Sequence, residues 1–269
     1  MIRLVKRQLR ARYGWLPLEE MRNKVMLGHT AIGLRRFEDS EVRRLLATLP
    51  GGERPSARVA TVVLTYKRPD GLRRAVESVL AQTVRDQVVI VVDDGGGGLP
   101  ELPADPRLHV VSLRHNINVL GVSRNIGMRL TDSPFVAFLD DDNAWHPNHL
   151  EVALAKLEEP AESRPDAVYT AMRRLTPDGE ERDVLSVPFD RKLAWERCFL
   201  DSNPFVARRS PDLRFSRLRR NSSVAPKEDW ELIYRFSKKH RVEHIPSATV
   251  DYVVNPNSYW TNWEAPAQP

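Results

Sequence analysis

Between residues 59 and 157, short apolar runs alternate with segments whose apolar side chains recur every three or four positions, a rhythm that predicts strands alternating with helices. The runs are 59–64 (VATVVL), 87–92 (QVVIVV), 108–113 (LHVVSL) and 135–139 (FVAFL). They are largely continuous, as expected of strands buried on both faces. Between them, Asp70 can cap a helix whose Leu72, Val76, Val79 and Leu80 share a face. A second helix is expected at 123–130, and Pro147 opens a third with Leu150, Ala153, Leu154 and Leu157 inward. The second half is less regular, with strands expected at 167–172, 203–207, 242–246 and 250–254 and a helix at 228–239. The pattern predicts an α/β fold with a mostly parallel central sheet flanked by helices.

The ends differ from this middle. Ile2, Val5, Leu9, Tyr13 and Leu16 recur at helical spacing, so the chain is expected to open with an amphipathic helix running to Pro17. Residues 49–56 (LPGGERPS) read as a linker. This divides the chain into a basic helical N-terminal extension with linker (1–55), a main domain (56–258) and a C-terminal tail (259–269). Trp260 and Trp263 make the end either flexible or a strap over the cleft.

Charge sharpens the picture at the N-terminus. Residues 1–24 hold seven basic side chains against two acidic ones, an excess equal to the whole chain's net charge of +5. Anionic lipid is one partner for such a helix, nucleic acid another, although no nucleic-acid-binding motif accompanies it. Docking on its own domain is the third alternative. No stretch approaches the roughly 18 apolar residues of a membrane span, and no secretory signal pattern is present. A cytoplasmic protein is expected, with peripheral contact at the inner membrane face through residues 1–24. The single cysteine, Cys198, excludes an intramolecular disulfide and any thiolate metal cluster.

Candidate chemistry collects at the strand ends. Thr65, Tyr66, Lys67 and Arg68 follow the first strand, Asp93 and Asp94 end the second, and Asp140, Asp141 and Asp142 end the fourth run. Ligands of open α/β sheets bind beyond the carboxyl ends of the strands. Three adjacent carboxylates repel, and a hard divalent ion relieves them. Mg²⁺ or Mn²⁺ fits best, usually held by one or two carboxylates with phosphate oxygens completing the shell. A solvated turn is the alternative. His146 and His149 flank the loop, but a hard ion prefers oxygen.

In their order, VVLTYKRP, AVESVLAQT, IVVDDGG, NVLGVSRNIG, AFLDDDNAWHPNHL and KEDWELIYRF resemble a family 2 glycosyltransferase, over residues 58–258. That resemblance implies the GT-A nucleotide-diphospho-sugar transferase fold and a metal-dependent, inverting transfer from a nucleotide sugar, with UDP-sugar the expected donor, to an acceptor hydroxyl. It implies donor contacts from Thr65, Tyr66, Asp94, Arg124, Asp140 and Asp141, with Asp93 an equal candidate to Asp94. Turn capping is the alternative for either aspartate. Arg124 would face the diphosphate, unless it is only a surface arginine. Asp142, paired with Asp140, would ligate Mn²⁺ or Mg²⁺. Asp229 falls where the family places its general base, with helix-dipole stabilisation as the rival role.

Two departures stand out. Gly95 to Gly98 replace the polar residues that commonly follow the paired aspartates. Asn255 and Asn257 stand where many relatives carry a histidine ligand. Arg173, Asn203, the Phe205 region and the tryptophan tail are expected to form the acceptor pocket. The acceptor could be a saccharide, a lipid-linked sugar, a peptide or a small natural product. The competing classes are a nucleotidyltransferase, disfavoured by the absence of a glycine-rich basic loop after the first strand, and a haloacid-dehalogenase-type phosphatase, disfavoured by Asn143-Ala144-Trp145. The non-enzymatic reading is a catalytically silent, glycosyltransferase-like binding protein recruited by its basic N-terminus.

Overall fold

The continuous apolar runs form β1 (Val59–Thr65), β2 (Gln87–Asp93), β3 (Leu108–Ser112) and β4 (Phe135–Asp140). The computed structural model describes residues 2–254 apart from residue 222, with the side chains of residues 2–7 left aside. The expectations for Asn255, Asn257 and the tryptophan tail therefore lie outside the described residues. Helices α1 (Ile2–Tyr13) and α2 (Trp15–Leu46) precede the sheet, and α3 (Pro69–Leu80), α4 (Leu120–Arg129) and α5 (His149–Leu157) lie between its strands. The second half adds β5 (Ala144–Trp145), β6 (Ala167–Leu175), β7 (Glu181–Leu185), α6 (Leu193–Glu196), β8 (Phe205–Arg208), α7 (Glu228–Phe236) and β9 (Val242–Val253).

Among the described residues, nine strands form one sheet in the order β3-β2-β1-β4-β8-β6-β9-β5, with β7 added on β6. Strands β1 to β4 pair in parallel, and β8 enters antiparallel between β4 and β6. Each central strand is buried on both faces because successive side chains serve different cores. Ala60, Val62 and Leu64 join the core under α2, α4 and α7, whereas Val59 and Val63 join the one under α3 and α5. At roughly 25 cal/mol per Å² of apolar surface, the two cores are the main stabilising term.

Several expectations change: Arg68 rather than Asp70 holds the cap position of α3, and α5 begins at His149, after Pro147. The first helix ends at Tyr13, not at Pro17, because Gly14 breaks the chain at φ 78° where the side chain of Trp195 would collide with any Cβ. Pro17 instead sits in the first turn of α2, where a missing N–H costs no intrahelical bond. The two expected late strands are one, β9, irregular in its pairing with β6. The last helix stops at Phe236, where Ser237 turns its hydroxyl back to the Tyr234 carbonyl.

Helix α2 packs on the main core through Leu16, Leu34, Val42 and Leu45, but its inner face also carries buried Glu20, Glu38 and Glu41. Each acid meets arginines from the body of the protein: Glu20 with Arg220, Glu38 with Arg129 and Arg217, and Glu41 with Arg114. No described helix is long and apolar enough to cross a membrane.

Candidate active site

Strand register builds the site. Thr65 lies beside Asp93, and Leu64 beside Asp140, so the carboxyl ends of β1, β2 and β4 meet at one edge. β1 has β2 on one side and β4 on the other, the place where open sheets leave a crevice. A cleft of about 770 Å³ opens there, within the size range of small-molecule sites. Thr65, Tyr66, Asp94, Arg124, Asp140, Asp141, Asp142 and Asp229 all line it. The expected metal ligand and the expected base therefore face one space.

The aspartate loop after β4 is held from below. Asp141 is buried and accepts from the Thr65 hydroxyl at 2.7 Å, the Tyr66 N–H at 3.3 Å and Arg68 at 3.1 Å. Burial pushes its pKa up to about 6 despite these donors. The α3 N-terminus closes against it, since a Cβ on Gly71 would stand 2.2 Å from the Asp141 carbonyl oxygen. Asp142 remains more open, with 35% of its side chain exposed, and accepts from Arg68 at 2.7 Å and from the Asn143 amide at 2.9 Å. Asp140 is gripped by Arg124 at 2.7 Å and by the Asn203 amide at 3.2 Å.

No group of three or more His, Cys, Asp or Glu side chains forms a metal cage among the described residues. The donor set nonetheless fits a Mg²⁺ or Mn²⁺ ion that takes one or two carboxylates and completes its shell from a diphosphate. Asp142 is the carboxylate best placed to hold it. The Arg68 guanidinium, bridging Asp141 and Asp142, already supplies a cation at that position. His146 and His149 stand outside the cleft lining: His146 bonds Asp251, and His149 is fully buried against Trp145 and Thr249.

The donor-side aspartates divide their work. Asp93 is absent from the cleft lining and accepts from the N–H groups of Gly96 and Gly97 at 2.8 and 3.1 Å, so it caps the glycine turn. Of the two, Asp94 and not Asp93 faces the cleft. Asp94 lines the cleft while accepting from Ile117 N–H and Asn118 N–H, both at 3.1 Å, and burial raises its pKa. Arg124 is no surface arginine. It is buried, lies over the Phe215 ring, and spends its two terminal nitrogens on Asp140 and, at 3.0 Å, on Glu228. It ties the end of β4 to the start of α7.

Asp229 stands in the first turn of α7, where its carboxylate accepts from the Trp230 N–H at 2.7 Å. Burial, and then the neighbouring Glu228 charge, push its pKa up to about 7, against the opposing pull of Arg124. A carboxylate tuned to that value suits proton removal near neutral pH.

The expected acceptor pocket is corrected. Arg173 pairs with Asp251 outside the cleft, Asn203 is buried behind Asp140, and Phe205 lies in the core at the centre of the sheet. The cleft is lined in addition by Asp201, Leu218, Arg220, Lys227, Glu228 and Tyr252. Asp201 and Tyr252 were not foreseen. Asp201 is buried, accepts from both the backbone and the side chain of Asn203, and has its pKa pushed to about 8 by burial and then by Asp229 and Asp140. Nothing in its local pattern sets it apart from a loop aspartate.

Residues 61–192 match the model for glycosyl transferase family 2. The uncharacterized glycosyltransferase YwdF of Bacillus subtilis is 25% identical over 209 residues, which cover 72% of this chain and 74% of YwdF. S. aureus TarS 1-349 in complex with UDP-GlcNAc superposes with a TM-score of 0.57 at 17% identity, over 77% of this chain and 61% of that one. The mannosyltransferase PcManGT from Pyrobaculum calidifontis, in complex with GDP-Man and Mn2+, gives 0.53 at 15% identity, over 87% of this chain and 70% of that one. At these identities the two structures speak for the fold, and this chain spans about three fifths of the TarS fragment. Residues 61–192 thus carry a glycosyl transferase family 2 domain, and the sheet with its ordered strand-end aspartates has the GT-A architecture.

Proposed function

We propose that the protein is a metal-dependent, inverting glycosyltransferase that moves a sugar from a nucleotide donor, with UDP-sugar the first candidate, to an acceptor hydroxyl. The observation that carries this is the placement of Asp142 and Asp229, from different elements, on one cleft large enough for an activated sugar. Tyr66, 41% exposed at the cleft, offers a ring for the nucleobase, and Asp94 a carboxylate for its imide proton. Asp142, with Asp140 beside it, would hold Mn²⁺ or Mg²⁺, which when bound supplies positive charge to the departing diphosphate. Arg68 adds a cation at the same point. Arg124 positions Asp140 and Glu228. Asp229 takes the proton of the acceptor hydroxyl from the opposite side, and in-line displacement inverts the anomeric carbon.

The reading is tested by screening UDP-, GDP- and dTDP-sugars for Mn²⁺- or Mg²⁺-dependent release of nucleotide diphosphate. Turnover of at least one donor is expected, with loss of Mn²⁺-dependent donor binding in Asp142→Ala. Metal binding without turnover of any donor would favour a silent binding protein instead. A peripheral contact with anionic lipid through the N-terminal helices is part of the same proposal. It is supported by exposed Met21, Val25, Met26 and Ile32 on α2, set among the exposed basic residues Arg22, Lys24, Arg35 and Arg36.

A further inference from the structure

A second cavity, of about 200 Å³, lies beside α4 away from the proposed donor cleft and is lined by Arg129, Arg209, Ser210, Arg214, Arg217 and Glu38 among others. Four guanidinium groups thus line it beside one carboxylate, with Arg129 also paired to Asp39 at 2.7 Å. Glu38 cannot neutralise them all. Its Oε1 already accepts from Arg129 at 2.9 Å and Arg217 at 2.7 Å, and its Oε2 from Arg217 at 2.7 Å and the Asn125 amide at 3.3 Å. These bonds fill the carboxylate.

The remaining donors are left over. Arg209 gives Nε to the Ser133 carbonyl and Nη1 to the Met128 carbonyl, while its buried Nη2 has no partner. The buried Ser210 hydroxyl has none either. Arg214 is exposed at the rim of the cavity and makes no side-chain hydrogen bond or ion pair among the described residues, while desolvation together with Arg217 and Arg235 lowers its pKa, so the buried donors that lack a partner are those of Arg209 and Ser210. Buried unpartnered donors in native proteins call for a reason, and converging guanidinium forks match the oxygens of phosphate.

We propose that this cavity is an oxyanion site that takes a phosphate group, free or as part of a phosphodiester, between Arg209, Ser210 and Arg214. Its volume suits one phosphate and excludes a whole nucleotide. The site lies next to the catalytic wall: Asn125, which lines it, holds the backbone N–H of Phe215 at 2.9 Å, and the Phe215 ring underlies Arg124. A phosphate there would brace the segment that carries Phe215. The assignment stands whether or not the protein transfers a sugar.

The test uses the full chain, titrated with inorganic phosphate and separately with dimethyl phosphate at constant ionic strength, by calorimetry and thermal unfolding. Arg214→Ala and Ser210→Ala are the variants, chosen because neither side chain holds another element in place. Binding of one oxyanion is expected, weakened about tenfold in Arg214→Ala, the order expected for loss of a charged hydrogen-bonding partner, and less in Ser210→Ala. Stronger binding of inorganic phosphate supports a free or terminal phosphate as the occupant, and stronger binding of dimethyl phosphate supports a diester within a larger molecule. Binding that is equal in wild type and both variants, or no stronger than that of chloride, overturns the proposal.

Discussion

Arg68 sets the charge balance at the mouth of the metal loop. One of its nitrogens reaches Asp141 at 3.1 Å and Asp142 at 2.7 Å, so a divalent ion arriving at Asp142 must displace it. The displaced guanidinium would be free to meet the diphosphate, coupling metal and donor binding. Arg68→Ala is expected to raise the affinity of the nucleotide-free protein for Mn²⁺ about fivefold, the worth of a partly exposed ion pair near 1 kcal/mol. Calorimetry checks this, and an unchanged or weaker affinity would show that Arg68 does not compete. The sequence displays Asp140 to Asp142 as a cluster because they are consecutive. It cannot display Asp201 or the Arg124–Glu228 pair, whose partners lie 104 residues apart in the second case. Asp93 and Asp94 look equivalent as letters, and only the turn at Gly96 and Gly97 separates the cap from the cleft residue.

At the level of elements, the strands were legible and the long helix was not. Strands β1, β2 and β4 are continuous apolar runs because both of their faces are covered. The inner face of α2 is interrupted by Glu20, Asn23, Glu38 and Glu41, which break the apolar period yet are buried, each acid paired with an arginine from the later loops. Such long-range pairing leaves no local signature. β7 leaves no apolar alternation because only Leu185 is buried while Val184 is exposed, and it lies off the main path of the sheet. The outer face of α2 carries Met21, Val25, Met26 and Ile32 uncovered, and Val25 is 78% exposed. The full chain is expected to sediment with vesicles containing an anionic phospholipid but not with neutral ones, and Val25→Asp with Ile32→Asp should cut that binding several-fold. Equal sedimentation with both kinds of vesicle, or with neither, would remove lipid as the partner of this face.

Across the whole molecule, parallel register shapes the cleft. Aligning β1 with β2 and β4 places three polar strand ends at one crevice, and the later segment returns through α7 to set Asp229 opposite them. The cleft wall between β8 and α7 includes Leu218, Arg220 and Lys227 in a stretch with little regular structure, so periodicity could not reveal it. Asp229, its pKa raised to about 7 by burial and then by Glu228, is the proposed base for the acceptor's proton. The most direct measurement is the pH dependence of kcat/KM for donor turnover, with water as acceptor, in wild type and Asp229→Asn. Because the base must be ionised, the wild-type rate should rise with pH through about 7 and level off above it. Asp229→Asn should lose about a hundredfold or more in turnover while keeping its donor affinity. A wild-type profile flat across that range, or an Asp229→Asn enzyme with most of its activity, would contradict the account.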